Sequence, residues 1–210
     1  MKRTKLLMMV AMALVICLPG MALATIVNFD DLPTPYTAED GSVWGPVPLN
    51  YQGWTWGGGW GVNENANFKS NYNNTGDFPS APNAAYNDSG SALMTINFNS
   101  TISLVSAYFR SWSQDNKFQS WSATLVTLKG YLGATELYTL DVNLSATGMV
   151  LTPINFIGVD NVTFTKGSSD DQWWLMDHVN AVPLSPSVLL LGSGILGLVG
   201  LGWRRARKES

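Results

Sequence analysis

Leu93-Met94-Thr95-Ile96-Asn97-Phe98 alternates strictly, with Met94, Ile96 and Phe98 on one face of an extended chain and Leu93, Thr95 and Asn97 on the other. A period of two marks a strand with one covered face and one wetter face. Residues 124–129 repeat it, setting Leu125, Thr127 and Lys129 against Thr124, Val126 and Leu128. Working outward, strands are expected at 26–29, 51–56, 92–98, 103–112, 122–131, 136–144, 161–165 and 173–182. Turn residues punctuate them at Gly90, Asn99-Ser100, Gly130 to Gly133 and Lys166 to Ser169. No helical period shows between the two ends. This pattern predicts an all-β fold, a two-sheet antiparallel sandwich of jelly-roll type.

The ends read differently. Lys2, Arg3 and Lys5 precede an apolar core from Leu6 to Leu18; Pro19-Gly20 breaks it, and Ala22-Leu23-Ala24 offers a small-x-small cleavage site. Residues 1–24 are therefore expected to be a signal peptide, with the mature chain starting at Thr25. At the other end, Ser187 to Trp203 is apolar and would make a helix of roughly 25 Å, just long enough to cross a bilayer. The basic residues within 204–208 hold that end in the cytoplasm, because carrying cations through hydrocarbon is costly. The expected organisation is signal peptide 1–24, extracellular domain 25–182 and sorting segment 183–210.

Val182-Pro183-Leu184-Ser185-Pro186, the stretch around Gly192, Gly194 and Gly197, and the closing Arg204-Arg205 resemble the PEP-CTERM class of sorting signals. Pro-Glu-Pro itself is absent, so the tail looks like a Val-Pro-Leu variant. The resemblance implies processing by an exosortase-type enzyme, transient residence in the inner membrane, and delivery to the envelope or extracellular matrix of a cell that makes exopolysaccharide. An uncut C-terminal anchor is the alternative. Asn28-Phe29-Asp30-Asp31-Leu32, Tyr51-Gln52-Gly53-Trp54, Val105-Ser106-Ala107-Tyr108-Phe109 and Leu175-Met176-Asp177-His178-Val179 look like the extracellular domain often paired with such tails, a domain similar in outline to carbohydrate-binding jelly rolls.

Between 25 and 182 there is no cysteine, so packing or metal has to replace disulfides. Five basic residues face fourteen carboxylates there, a net charge of −9 that repels nucleic acid. Catalysis finds little: one histidine, His178, follows Asp177 in a strand, where neighbours point to opposite faces. No Gly-x-Ser-x-Gly marks a nucleophile, and the chain is expected not to be an enzyme.

Asp30, Asp31 and Asp177 are the candidate metal ligands. First and last strands of a jelly roll are neighbours, so these carboxylates can converge on a structural calcium, which takes six to eight hard oxygens. Alternatively Asp30 and Asp31 cap a turn and Asp177 is solvated. For binding, Trp44, Trp54, Trp56 and Trp60 are the candidates, since indoles stack on the C–H faces of sugar rings. Trp44 and the glycine-flanked Trp60 are expected to be exposed, and Trp173-Trp174 must split inward and outward. The asparagine-rich stretch from Val62 to Gly90 either lines a polar groove or is an inert insertion. The sequence thus reads as an exported, non-catalytic protein that binds matrix polysaccharide. A structural or adhesive matrix protein without sugar specificity is the competing reading, and a glycan hydrolase is a third.

Overall fold

The structure, a computed structural model, describes residues 24–38, 41, 43–72, 74, 77–113, 120–167 and 173–184. Its elements in chain order are β1 (Thr25–Val27), β2 (Tyr36–Thr37), β3 (Val43–Pro46), β4 (Asn50–Tyr51), β5 (Trp54–Gly57), β6 (Trp60–Glu64), α1 (Asn65–Asn71), β7 (Asn83–Asn87), a 3₁₀ turn (Asp88–Gly90), β8 (Leu93–Ser111), β9 (Leu125–Leu132), β10 (Thr135–Asn143), β11 (Val150–Lys166) and β12 (Trp174–Pro183). The expected signal peptide up to residue 23, the transmembrane helix and the sorting motif beyond residue 184 fall outside the described residues, while Val182 and Pro183 end β12. Among the described residues, no helix is long and apolar enough to cross a membrane.

Two strands set the architecture, because each is too long for one layer. β8 runs for 19 residues and β11 for 17. They pair antiparallel along their whole length, and the register slips between Pro153 and Asn161. Asn155 and Gly158 take positive φ there, at 56° and 77°. Opposite, the five steps from Asn97 to Ile102 on β8 match only two from Asn161 to Val159 on β11. Such bulges bend strands and let them pass from one sheet into another. Asn99-Ser100 is therefore no chain reversal, as expected from the sequence, but the bend inside one continuous strand.

On one side of the bend, β8 pairs with β5 and β11 with β9, and β10 and β4 lie beyond. On the other side the order runs β11, β8, β12, β7, β6, β3, β2, with β1 also paired to β12. One hydrogen-bonded ribbon thus folds into two facing layers. The all-β antiparallel sandwich expected from the sequence is the fold observed, and Thr25 to Val27 does lie against β12.

Three further expectations change. Tyr51–Trp56 is not one strand: Gln52 and Gly53 both take positive φ (52° and 78°), closing a two-residue hairpin between β4 and β5. The strand expected at 161–165 begins eleven residues earlier, at Val150. Asn65–Asn71 forms a short helix whose buried Phe68 anchors it.

The core is aromatic. The Trp60 indole stands edge-on to Trp56, Phe164 and Trp174, at centroid separations of 5.4 to 5.5 Å. Trp56 and Phe164 belong to one layer, and Trp60 and Trp174 to the other. Edge-to-face pairs of this kind add ~0.5–1.5 kcal/mol each beyond area burial. The Trp60 N–H donates to the Thr95 carbonyl and the Trp56 N–H to that of Tyr51, so both polar tips are satisfied inside.

Trp54, Trp56 and Trp60 are thus core residues, and Trp60, expected to be exposed, is 3% exposed. The glycines flanking it allow the turn, and period two then points the indole inward. Trp60→Ala is expected to destabilise the fold by ~3–5 kcal/mol, read as a lowered midpoint in denaturant unfolding.

Candidate functional site

Along β6, Trp60 and Val62 enter the core while Gly61 and Asn63 face outward, where a second apolar cluster lies. Gly61 pairs with Tyr86 of β7 and Asn63 with Trp44 of β3. The Tyr86 ring lies flat across β6: a Cβ at position 61 would meet its Cε1 at 2.5 Å. Glycine at 61 is what admits that ring.

The segment after α1 covers part of this face. Phe68, Tyr72 and Phe78 pack with Tyr86, Trp112 and Leu175, and Trp112 meets Tyr72 at 4.9 Å and Tyr86 at 5.3 Å. Polar contacts fix this covering in place. Buried Arg110 donates to the Asn74 side chain at 2.8 Å, Asn74 donates to the Trp112 carbonyl at 3.1 Å, and Ser113 donates to the Tyr72 carbonyl at 3.0 Å. Burial lowers the affinity of Arg110 for its proton, yet a guanidinium stays charged at any physiological pH. It also lies 5.1 Å over the Phe68 ring.

What remains uncovered is a cavity of about 290 Å³, lined by Ala38, Trp44, Asn63, Tyr72, Tyr86, Asp88, Ser89, Trp112, Trp121 and Trp173. That is close to the small end of ligand pockets, ~300 Å³, and suits one sugar-sized ring. Trp121, 40% exposed, stands on the rim. Its ring meets Trp173 at 5.5 Å, and its carbonyl accepts the Trp173 N–H at 2.7 Å.

Three polar groups punctuate the aromatic wall. Asn63 is 1% exposed, and its Oδ1 has no hydrogen-bond partner among the described residues. A buried acceptor left unpaired costs ~1–3 kcal/mol. Asp88 accepts at Oδ1 from the Ser89 N–H (2.7 Å) and the Tyr86 hydroxyl (3.4 Å), and its Oδ2 carries no bond among the described residues. Ser89 is exposed beside it.

Of the expected binding residues, only Trp44 lines this cavity. Trp173 and Trp174 do split, Trp174 into the core and Trp173 into the cavity wall. The stretch from Val62 to Gly90 contributes Asn63, Tyr72, Tyr86, Asp88 and Ser89, so it lines a groove. Trp112 and Trp121 border loops whose docking no local pattern reveals.

The three acids each accept hydrogen bonds from protein donors. Asp31 accepts the Tyr51 hydroxyl at 2.5 Å, Asp30 accepts the Asn83 N–H at 3.1 Å, and Asp177 holds Ser80 through its N–H and hydroxyl. Among the described residues, no group of three His, Cys, Asp or Glu side chains is placed to hold a metal ion. Nor is Asp177 solvated; it is fully buried. His178, half-buried with positive φ, lies edge-on to Tyr108 and does not line the cavity.

No family model matches this chain, and no curated protein does. Among solved structures, it is similar to the K2 cleaved adhesin domain of Lys-gingipain (TM-score 0.43, 8% identity, covering 77% of this chain and 100% of that one). It is also similar to the CBM22-1 xylan-binding domain of Paenibacillus barcinonensis Xyn10C (0.42, 12%, 78% and 96%) and to a cyclase from Fischerella sp. TAU (0.41, 15%, 77% and 89%).

Burial pushes the Asp177 carboxyl up to about 7, with a nearby Asp30 adding to the rise against hydrogen bonds from Ser80 and His178. The folded state therefore keeps a proton that an unfolded aspartate releases near ~4. The stability this contributes is fully present below about pH 4 and lost as pH rises through about 7. Unfolding free energy is expected to fall across that window by on the order of a few kcal/mol, and Asp177→Asn to shrink the fall, measured by urea melts at stepped pH.

Proposed function

We propose that this chain is an exported, non-catalytic protein whose β-sandwich binds a saccharide in the aromatic cavity, and whose C-terminal segment delivers it to the cell envelope or extracellular matrix. One observation carries the binding half: Trp44, Tyr72, Tyr86, Trp112, Trp121 and Trp173 wall a cavity that holds the buried, unpartnered Oδ1 of Asn63. Indole and phenol faces suit the C–H faces of a pyranose, and a hydroxyl donor supplies the bond that Asn63 lacks. The aromatic rings are braced by one another and by the Arg110–Asn74–Trp112 links, so little ordering entropy is left to lose on binding.

Trp121→Ala tests the site. Stacking of ~0.5–1.5 kcal/mol converts to roughly a two- to tenfold weaker retention in polysaccharide affinity gels. Because Trp121 stands on the rim, the unfolding midpoint is expected to move far less than for Trp60→Ala. Equal retention by wild type and variant would remove the cavity from the reading.

Delivery rests on the sequence of the tail. Val182, Pro183 and Pro186, the glycines at 192 and 194, and Arg204-Arg205 match an exosortase-type signal passing transiently through the inner membrane. Intact-mass measurement of protein recovered from the matrix is expected to lack the residues after the proline motif. Recovery with Arg204 to Ser210 still attached would point instead to a permanent anchor.

A further inference from the structure

The charge of the described cavity lining is one-sided. Asn63 Oδ1 is an acceptor without a donor, Asp88 Oδ2 is a second, and the Tyr86 hydroxyl already donates to Asp88. The described lining residues include no lysine, arginine or histidine. Among the described lining residues no cation is present to pair with a carboxylate or sulfate on a ligand, and Asp88 would repel one. A cation meets the opposite reception, because aromatic faces attract positive charge within ~6 Å of their centroids and a carboxylate on the rim adds to that attraction.

From this we infer that the cavity selects a sugar bearing a free amino group, a hexosamine unit in its ammonium form, over neutral and acidic sugars. The inference rests on the saccharide reading and narrows it. An ammonium carries three donors and no acceptor. It can donate to Asp88 Oδ2 while its ring stacks on the indoles, whereas an acetylated amine keeps one donor and loses the charge. The net charge of −9 between residues 25 and 182 favours the approach of a polycationic glycan in the same sense.

The test is intrinsic tryptophan fluorescence of the full chain in detergent, titrated with glucosamine tetramer, its N-acetylated counterpart, cellotetraose, galacturonate tetramer and choline chloride. The expected result is at least tenfold tighter binding of the glucosamine tetramer than of the neutral and acetylated forms. That preference should weaken in salt and fade as pH rises through the amine's titration. In Asp88→Asn the ratio between amino and neutral sugar is expected to fall towards one. The ligand series on wild-type protein stands whether or not that variant folds.

Equal affinity for the glucosamine tetramer and cellotetraose would overturn the amine preference and leave saccharide binding in place. Tighter binding of choline than of any sugar would overturn both, and so would the absence of a response to every sugar.

Discussion

Trp60 is the contact on which the molecule turns. It sits where β6 leaves the three glycines 57–59, and its indole touches Trp56 and Phe164 in one layer and Trp174 in its own. By pointing inward it fixes the phase of β6, so Gly61 and Asn63 must point outward. Every later feature of the cavity follows from that phase. Tyr86 can lie across Gly61, Trp44 can stand beside Asn63, and the face between them can be roofed by chain after α1. A slip of one residue would drive Asn63 into the aromatic core and Trp60 into water.

The cysteine-free domain needs other long-range ties, and side-chain to backbone bonds supply them. Asn83 donates to the Phe29 and Leu32 carbonyls and its N–H to Asp30, joining β7 to the turn after β1. Asp177 holds Ser80 across 97 residues of sequence, and the Ser80 hydroxyl also lies within bonding distance of the Asn28 carbonyl. These acids were attractive as metal ligands because they lie where the first and last strands meet. In the structure Asp30 and Asp177 accept from donors of the 77–83 segment, and Asp31 accepts from the Tyr51 hydroxyl. Buried polar groups tied in this way specify one arrangement of the loop, since any other leaves a buried polar group without its hydrogen bond.

Much of the β character was legible, because alternation such as that of Met94, Ile96 and Phe98 follows directly from strand geometry. Harder was the continuity of β8. Asn99 and Ser100 are turn-formers, and only the pairing with β11 decides that they bulge instead of reversing the chain. The tryptophans illustrate the same limit. Trp173-Trp174 had to split, since strand neighbours always do, but which of them entered the core depended on Phe164 and Trp60, over 100 residues away in the case of Trp60. The glycines around Trp60 suggested exposure, yet they signalled a tight turn feeding an inward-facing strand. Asn63 lay in the asparagine-rich stretch that could line a polar groove, but nothing local set it apart from the other asparagines until Trp44 and Tyr86 stood beside it.

The path of β12 has a mechanical consequence. Trp173, in the cavity wall, immediately precedes β12, and the strand then runs ten residues to Pro183, a span of roughly 33 Å. It is an interior strand, flanked by β8 on one side and by β7 and β1 on the other. A pull applied between Trp173 and Pro183 would therefore be carried by a single interior strand. Its neighbours bear that load in shear, many hydrogen bonds at once, while the rest of the sandwich stays slack.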